Sequence, residues 1–211
     1  MTAPADDLAS PPHPSDVTMM RRCIALAGES VRAGEFPFAA VVARGGRIVC
    51  ESINRAKSNG DANSHAEVVA IGEAQRRHGT DLSECTLYTT VEPCALCAYA
   101  ARESRLGRVV YGLHSPLMGG HSRWNILDDH RLSEALPDVF RPAPAIVAGF
   151  LQEEVSAVFR SWNPIAWQVI KARGIFVAGP ARSTPAGSID GLAARLLAGM
   201  RTLVIDRIGR T

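Results

Sequence analysis

The stretch from Thr86 to Gly112 constrains the fold more than any other part of the chain, because it reads strand, helix, strand with short connections. Thr86 to Val91 is a β-branched run, Pro93 opens a helix over Ala95 to Arg105, and Arg108 to Gly112 is β-rich again. Two strands joined through a helix pair in parallel with a right-handed crossover. Such a sheet needs helices against its faces, which predicts an α/β domain.

The remaining pattern extends that unit in both directions. Phe38 to Ala43 and Arg47 to Ile53 flank Gly45-Gly46, a tight hairpin turn that makes this pair antiparallel and the whole sheet mixed. Val17 to Ala33 and Ser64 to Arg77 carry apolar residues at helical spacing and stop at Gly34 and Gly79. Ala145 to Ala148 is a candidate fifth strand, and Leu151 to Trp162 a covering helix with Leu151, Val155, Val158, Phe159 and Trp162 on one face. Leu113 to Pro144 is long and irregular, with a short helix expected over Leu127 to Leu136; loops of this length serve as lids or binding segments. The organisation read from these patterns is a disordered leader over 1–16, a folded domain over 17–162 and a partly helical extension over 163–211, whose apolar stripe falls on Leu192 to Leu203.

Composition narrows the setting. With 211 residues, 46% of them hydrophobic, the chain can bury one full core. A net charge of +2 is far from the basic footprint of a protein that lives on nucleic-acid backbones, so such a partner is allowed but not favoured. No apolar run reaches the roughly 18 residues of a membrane span. The first sixteen residues have no basic or apolar signal region, and the five cysteines are odd in number, so reduced thiols and a cytoplasmic setting are expected. Cys23, Cys50 and Cys85 fall in apolar contexts and read as core, whereas His13 and His78 read as solvated.

Two short stretches carry chemistry: His65-Ala66-Glu67, and Pro93-Cys94-Ala95-Leu96-Cys97. A proline at the helix entry places Cys94 and Cys97 three apart on one side of the first turn, where the positive helix end favours thiolates. Two thiolates and one imidazole match the charge of Zn²⁺ and leave a fourth position open, the arrangement of catalytic sites. Zinc lowers the pKa of a bound water toward roughly 7, and Glu67, two residues from His65, is placed to move its protons. Two competing readings exist. Ser64 and Glu67 also have capping-box spacing, and Cys94 and Cys97 also have redox-dithiol spacing, although a redox pair leaves His65 and Glu67 unused. A His-x-Glu with a Pro-Cys-x-x-Cys is the signature of zinc deaminases acting on nucleobases.

On these motifs, together with Phe36-Pro37-Phe38-Ala39-Ala40-Val41, Asn54, Leu87 to Glu92 and Gly107 to Gly112, the chain from Val17 to about Trp162 resembles the cytidine deaminase-like superfamily. Within it the resemblance is to the branch holding guanine deaminases, cytosine deaminases and tRNA adenosine deaminases. The resemblance implies a three-layer α/β/α sandwich around a five-stranded mixed sheet. It implies zinc held by His65, Cys94 and Cys97, Glu67 as acid and base, substrate contacts from Asn54 and the Ala66 backbone, and a homodimer. Ala39 departs from the glycine common among relatives, and the stretch Met118 to Asn125 has no mapped counterpart. Phe36, Trp124 and His121 are candidates for the wall that stacks on the base, with a core or interface role as the alternative for Trp124 and a turn-forming role for Asn54. Because the basic residues are scattered among acids, a small guanine-like purine is favoured as substrate, with tRNA adenosine second. A zinc-binding scaffold without turnover is the alternative of another class.

Overall fold

The computed structural model describes residues 12–179. Eleven elements follow in order: α1 (Asp16–Arg32), β1 (Ala39–Arg44), β2 (Arg47–Ile53), α2 (Ala66–His78), β3 (Cys85–Val91), α3 (Ala95–Glu103), β4 (Arg108–Leu113), α4 (His130–Ala135), β5 (Ala145–Val147), α5 (Gln152–Trp162) and α6 (Pro164–Ala172). The strands form one sheet in the order β2-β1-β3-β4-β5, antiparallel where β1 meets β2 and β3, and parallel from β3 to β5. Gly45 and Gly46 both have positive φ, the twist that a two-residue hairpin between right-twisted strands demands, and Arg44 pairs with Arg47 across it.

Alternate strand residues face two separate cores. Val41, Tyr88 and Val110 meet Met20 and Cys23 of α1, Val155 and Phe159 of α5 and Trp167 of α6 on one face. Ala40, Val42, Leu87, Val109 and Tyr111 meet Ala66, Ala70 and Ala74 of α2 and Ala98 and Ala101 of α3 on the other. This is the expected three-layer α/β/α sandwich. The second face is lined by alanines, which let α2 and α3 lie close to the sheet and so fix the height of their N-termini above it. At Gly107 the approach is closer still, since a Cβ there would lie 2.0 Å from the Ser83 carbonyl oxygen.

The packed unit exceeds the 17–162 boundaries at both ends. Asp16 is fully buried, accepts both Arg108 guanidinium nitrogens at 2.7 Å and the Tyr88 hydroxyl at 2.7 Å, and so belongs to the core and not to a leader. Past Trp162, Asn163 caps α6 by accepting from the Ala166 amide, Pro164 fills its first turn, and Trp167 and Phe176 enter the core beside Phe159. An Asn-Pro helix start was readable there, but the shift toward Arg, Gly, Pro and Ala masked it. The stripe over Leu192 to Leu203 lies outside the described residues. Within 113–144, the helix read over Leu127 to Leu136 is shorter, at His130–Ala135. No described helix is long and apolar enough to cross a membrane.

Candidate functional site

His65 and Cys94 occupy equivalent places, each the extended residue immediately before a helix, α2 and α3 respectively. Cys97 lies one turn into α3 and is fully buried. Since both helices pack on the same face of the sheet with their starts adjacent, the three side chains converge. The Cys94 and Cys97 sulfurs are 3.6 Å apart, and the His65 Nδ1 is 3.3 Å from Cys97 and 3.5 Å from Cys94. Donors sharing a tetrahedral zinc, with sulfur at about 2.3 Å and nitrogen at about 2.05 Å, lie about 3.8 Å apart for two sulfurs and about 3.6 Å for sulfur and nitrogen. The observed triangle therefore fits that ion, and among the described residues it is the one cluster of ligand side chains that could hold a metal.

Electrostatics agree with geometry. The hydrogen bond shared with Cys97 lowers Cys94 to about 4, against burial and with help from His65. The same bond, and then burial, push Cys97 well above the ordinary thiol range. Deprotonating both sulfurs puts two anions side by side in a buried place, which only a cation makes favourable. The redox-dithiol reading does not account for the imidazole wedged against both sulfurs.

Glu67 sits on the first turn of α2, 7% exposed, and accepts a hydrogen bond from the Thr89 hydroxyl of β3 at 3.1 Å. Burial pushes its carboxyl above the ordinary range. The capping-box reading fails here, because the helix cap is His65 and the Ser64 hydroxyl donates to Asp61 at 2.8 Å. Asn54 is buried rather than an exposed turn former: its amide nitrogen donates to Glu35 at 3.0 Å, while Glu35 also accepts from the Ser58 amide at 2.7 Å and the Lys57 amide at 3.3 Å. Those bonds outweigh burial and lower the Glu35 carboxyl, so Asn54 is held by a fixed anion. Ala66 opens α2 and is fully buried. Phe36 is 43% exposed, with its ring 5.7 Å from Trp162 and 6.0 Å from Phe38. Trp124 is 54% exposed beneath the Arg123 guanidinium, which rules out a core role.

Sequence reasoning missed the support of this site. Glu92, buried beside Pro93, accepts from the amides of Ser115, His121 and Ser122 and from the Ser122 hydroxyl, at 2.6–3.1 Å. The loop after β4 is thereby stitched to the start of α3. Gly119 and Gly120 are needed for that approach, since a Cβ would lie 1.9 Å from Glu92 Oε1 at the first and 2.2 Å from the Ala98 Cβ at the second. A Gly-Gly pair downstream of an acid next to the cysteines was the available signal. Glu35 carried none, because its partner Asn54 is distant in sequence.

Comparison with known proteins agrees with this geometry. Residues 14–113 match the family described as the cytidine and deoxycytidylate deaminase zinc-binding region. The chain is 34% identical over 151 residues to the tRNA-specific adenosine deaminase of Bacillus subtilis, covering 69% of this chain and 89% of that protein. It is also 34% identical over 152 residues, 70% of this chain, to a tRNA(Ile)-lysidine synthase of Deinococcus deserti, but spans only 27% of that protein's length. Among solved structures, one from a study of A-to-I editing by tRNA:A34 deaminases superposes with a TM-score of 0.58 at 28% identity, over 67% of this chain and 99% of the other. A guanine deaminase from Nitrosomonas europaea shares the fold, with a TM-score of 0.57 at 23% identity over 72% of this chain and 85% of the other. A zinc-shaped donor triangle at two helix starts, together with a relative matched over nearly its whole length, places the chain in the family of cytidine and deoxycytidylate deaminase zinc-binding domains.

Proposed function

We propose that the protein is a zinc-dependent hydrolase that removes the exocyclic amino group of a nucleobase and releases ammonia. The observation that carries this reading is a carboxylate, Glu67, buried next to a donor triangle that leaves the fourth position of a tetrahedral ion open. His65, Cys94 and Cys97 hold the ion. When bound, zinc supplies Lewis acidity that brings a coordinated water toward ionisation near neutral pH. Glu67 takes one proton from the attacking water and gives it to the ring nitrogen, then takes the second from the hydroxyl added to the ring carbon and gives it to the amino group, which leaves as ammonia. Thr89 orients the Glu67 carboxyl from the sheet. Asn54, locked by Glu35, hydrogen-bonds the ring edge, and the Ala66 backbone, Phe36 and Trp124 border it.

The substrate this reading favours is adenosine in tRNA, in place of the free purine that composition suggests. The long match to a tRNA-specific adenosine deaminase supports this reading. The exposed apolar side chains of Trp124, Leu117 and Met118, on the loop that bridges to Cys94, suit a base presented by a larger molecule. A free guanine-like purine is the second reading, supported by the eight described arginines that are paired with acids and so are less available to phosphates. Leu96 and Tyr99 on α3, both more than 40% exposed, are proposed as the contact surface of a homodimer. The five free thiols support a reducing, cytoplasmic setting.

Ammonia release from guanine, cytosine, adenosine and a tRNA transcript tests both levels, with Glu67→Gln as control. Release from tRNA alone supports the first substrate, and release from guanine alone the second. Stoichiometric zinc with no release from any of them would leave a metal-binding scaffold.

A further inference from the structure

We propose that His121 contacts the base and sets which ring-edge group is accepted, and that Tyr111 positions it. The proposal rests on the deaminase reading above and names a residue that reading leaves unused. The loop carrying His121 is pressed against the metal-bearing helix: Gly119 bridges to Cys94, and the Gly120 amide donates to the Pro93 carbonyl at 2.7 Å. The backbone of His121 is fixed by its own amide, which donates to Glu92 at 3.1 Å. Its ring is fixed from the sheet, with Nδ1 2.9 Å from the Tyr111 hydroxyl and the two rings edge-on at 6.1 Å.

Tyr111 is fully buried on β4 and is paired in register with Thr89, whose hydroxyl holds Glu67. Paired residues of neighbouring strands point to the same face, so the imidazole of His121 and the carboxylate of Glu67 are braced by adjacent side chains on the face that carries α2 and α3. Backbone and ring are thus both anchored at a half-buried position two residues after Gly119, which bridges to Cys94. A histidine that served only to fill space would not need both anchors.

The hydroxyl also lies 3.4 Å from His114 Nδ1, but the shorter approach is to His121. When the Tyr111 hydroxyl donates to His121 Nδ1, that nitrogen is the acceptor, so the one N–H of the neutral ring is on Nε2 and offers a donor. Such a donor fits a carbonyl oxygen or unprotonated ring nitrogen on the base edge and disfavours an amino group there. Tyr111 therefore decides the polarity of the contact without touching the base.

The test uses full-length, zinc-loaded protein carrying Glu67→Gln, titrated calorimetrically with a tRNA transcript and with guanine, the two substrates proposed above. Loss of one such hydrogen bond corresponds to about tenfold weaker binding. In this background His121→Phe is expected to weaken the better-bound ligand about tenfold and to change the ratio between the two. Tyr111→Phe should weaken it severalfold in the same direction. His121→Gln keeps a donor that needs no tautomer, so it should restore most of the affinity and be insensitive to Tyr111→Phe. Melting temperature and zinc content, measured on every variant, exclude misfolding. Unchanged affinity and ratio in His121→Phe overturn the proposal, as does a parent protein that binds neither the tRNA nor guanine. Binding that follows His121 in a wild-type protein that releases no ammonia sinks the deaminase reading instead and leaves this placement standing.

Discussion

Replacing Asp16 with alanine should be among the most damaging single changes outside the metal site. The carboxylate is fully buried and accepts four hydrogen bonds at 2.7 Å: two from Arg108, one from Tyr88 and one from the His13 amide. Arg108 is itself only 7% exposed at its side chain, so removing the carboxylate takes away its buried counter-charge, and breaking such a pair costs about 3–5 kcal/mol. A domain of this size loses roughly 2–4 °C in Tm per kcal/mol, so the drop should be about 10 °C. Asparagine keeps the shape and one acceptor and should lose somewhat less.

Acid titration gives an independent sign. Burial alone would raise the Asp16 carboxyl, but the hydrogen bonds from Arg108, Tyr88 and His13 outweigh it and hold the group below its ordinary value of 3.8. Its folded pKa being the lower one, its contribution is complete above about pH 4 and fades as pH falls through the folded pKa. Urea melts of wild type and Asp16→Asn at pH 7 and pH 3 would show this as a gap that narrows at low pH. A gap under about 1 kcal/mol at pH 7, or one that stays constant with pH, would refute the reasoning. Since the pair lies on the α1 face of the sheet, zinc content should be unchanged at a permissive temperature.

Cys94→Ser and Cys97→Ala should each abolish stoichiometric zinc by elemental analysis, and a chelator should lower the Tm of wild type but not of either variant. Glu35→Ala leaves Asn54 without its anchor and should raise KM severalfold with little change in kcat, read from steady-state ammonia release. Glu92→Gln replaces a fully engaged acceptor with a group that brings its own donors to a site already filled by three amides and a hydroxyl. Loosening of the 115–122 loop, read as faster amide exchange with zinc retained, is the expected outcome. Gly107→Ala puts a Cβ 2.0 Å from the Ser83 carbonyl and should cost at least about 2 kcal/mol in chemical melts, because backbone must move to admit it.

Periodicity and local stop signals determined most of the fold. The Gly45-Gly46 turn, the β3-α3-β4 crossover and the helix starts at His65 and Cys94 are each decided within a few residues, and sequence reading finds them for that reason. The donor set was legible because its spacing is local on α3 and its histidine begins a helix of its own. Distance in sequence hid the rest. Asp16 meets Arg108, Glu92 meets Ser122, and Tyr111 meets His121 only after the strands have taken the order β2-β1-β3-β4-β5 and the loop after β4 has folded back over α3. A buried charge or hydroxyl has no periodic signature; its partner is selected by which groups the packed sheet leaves unsatisfied, and that is settled in three dimensions.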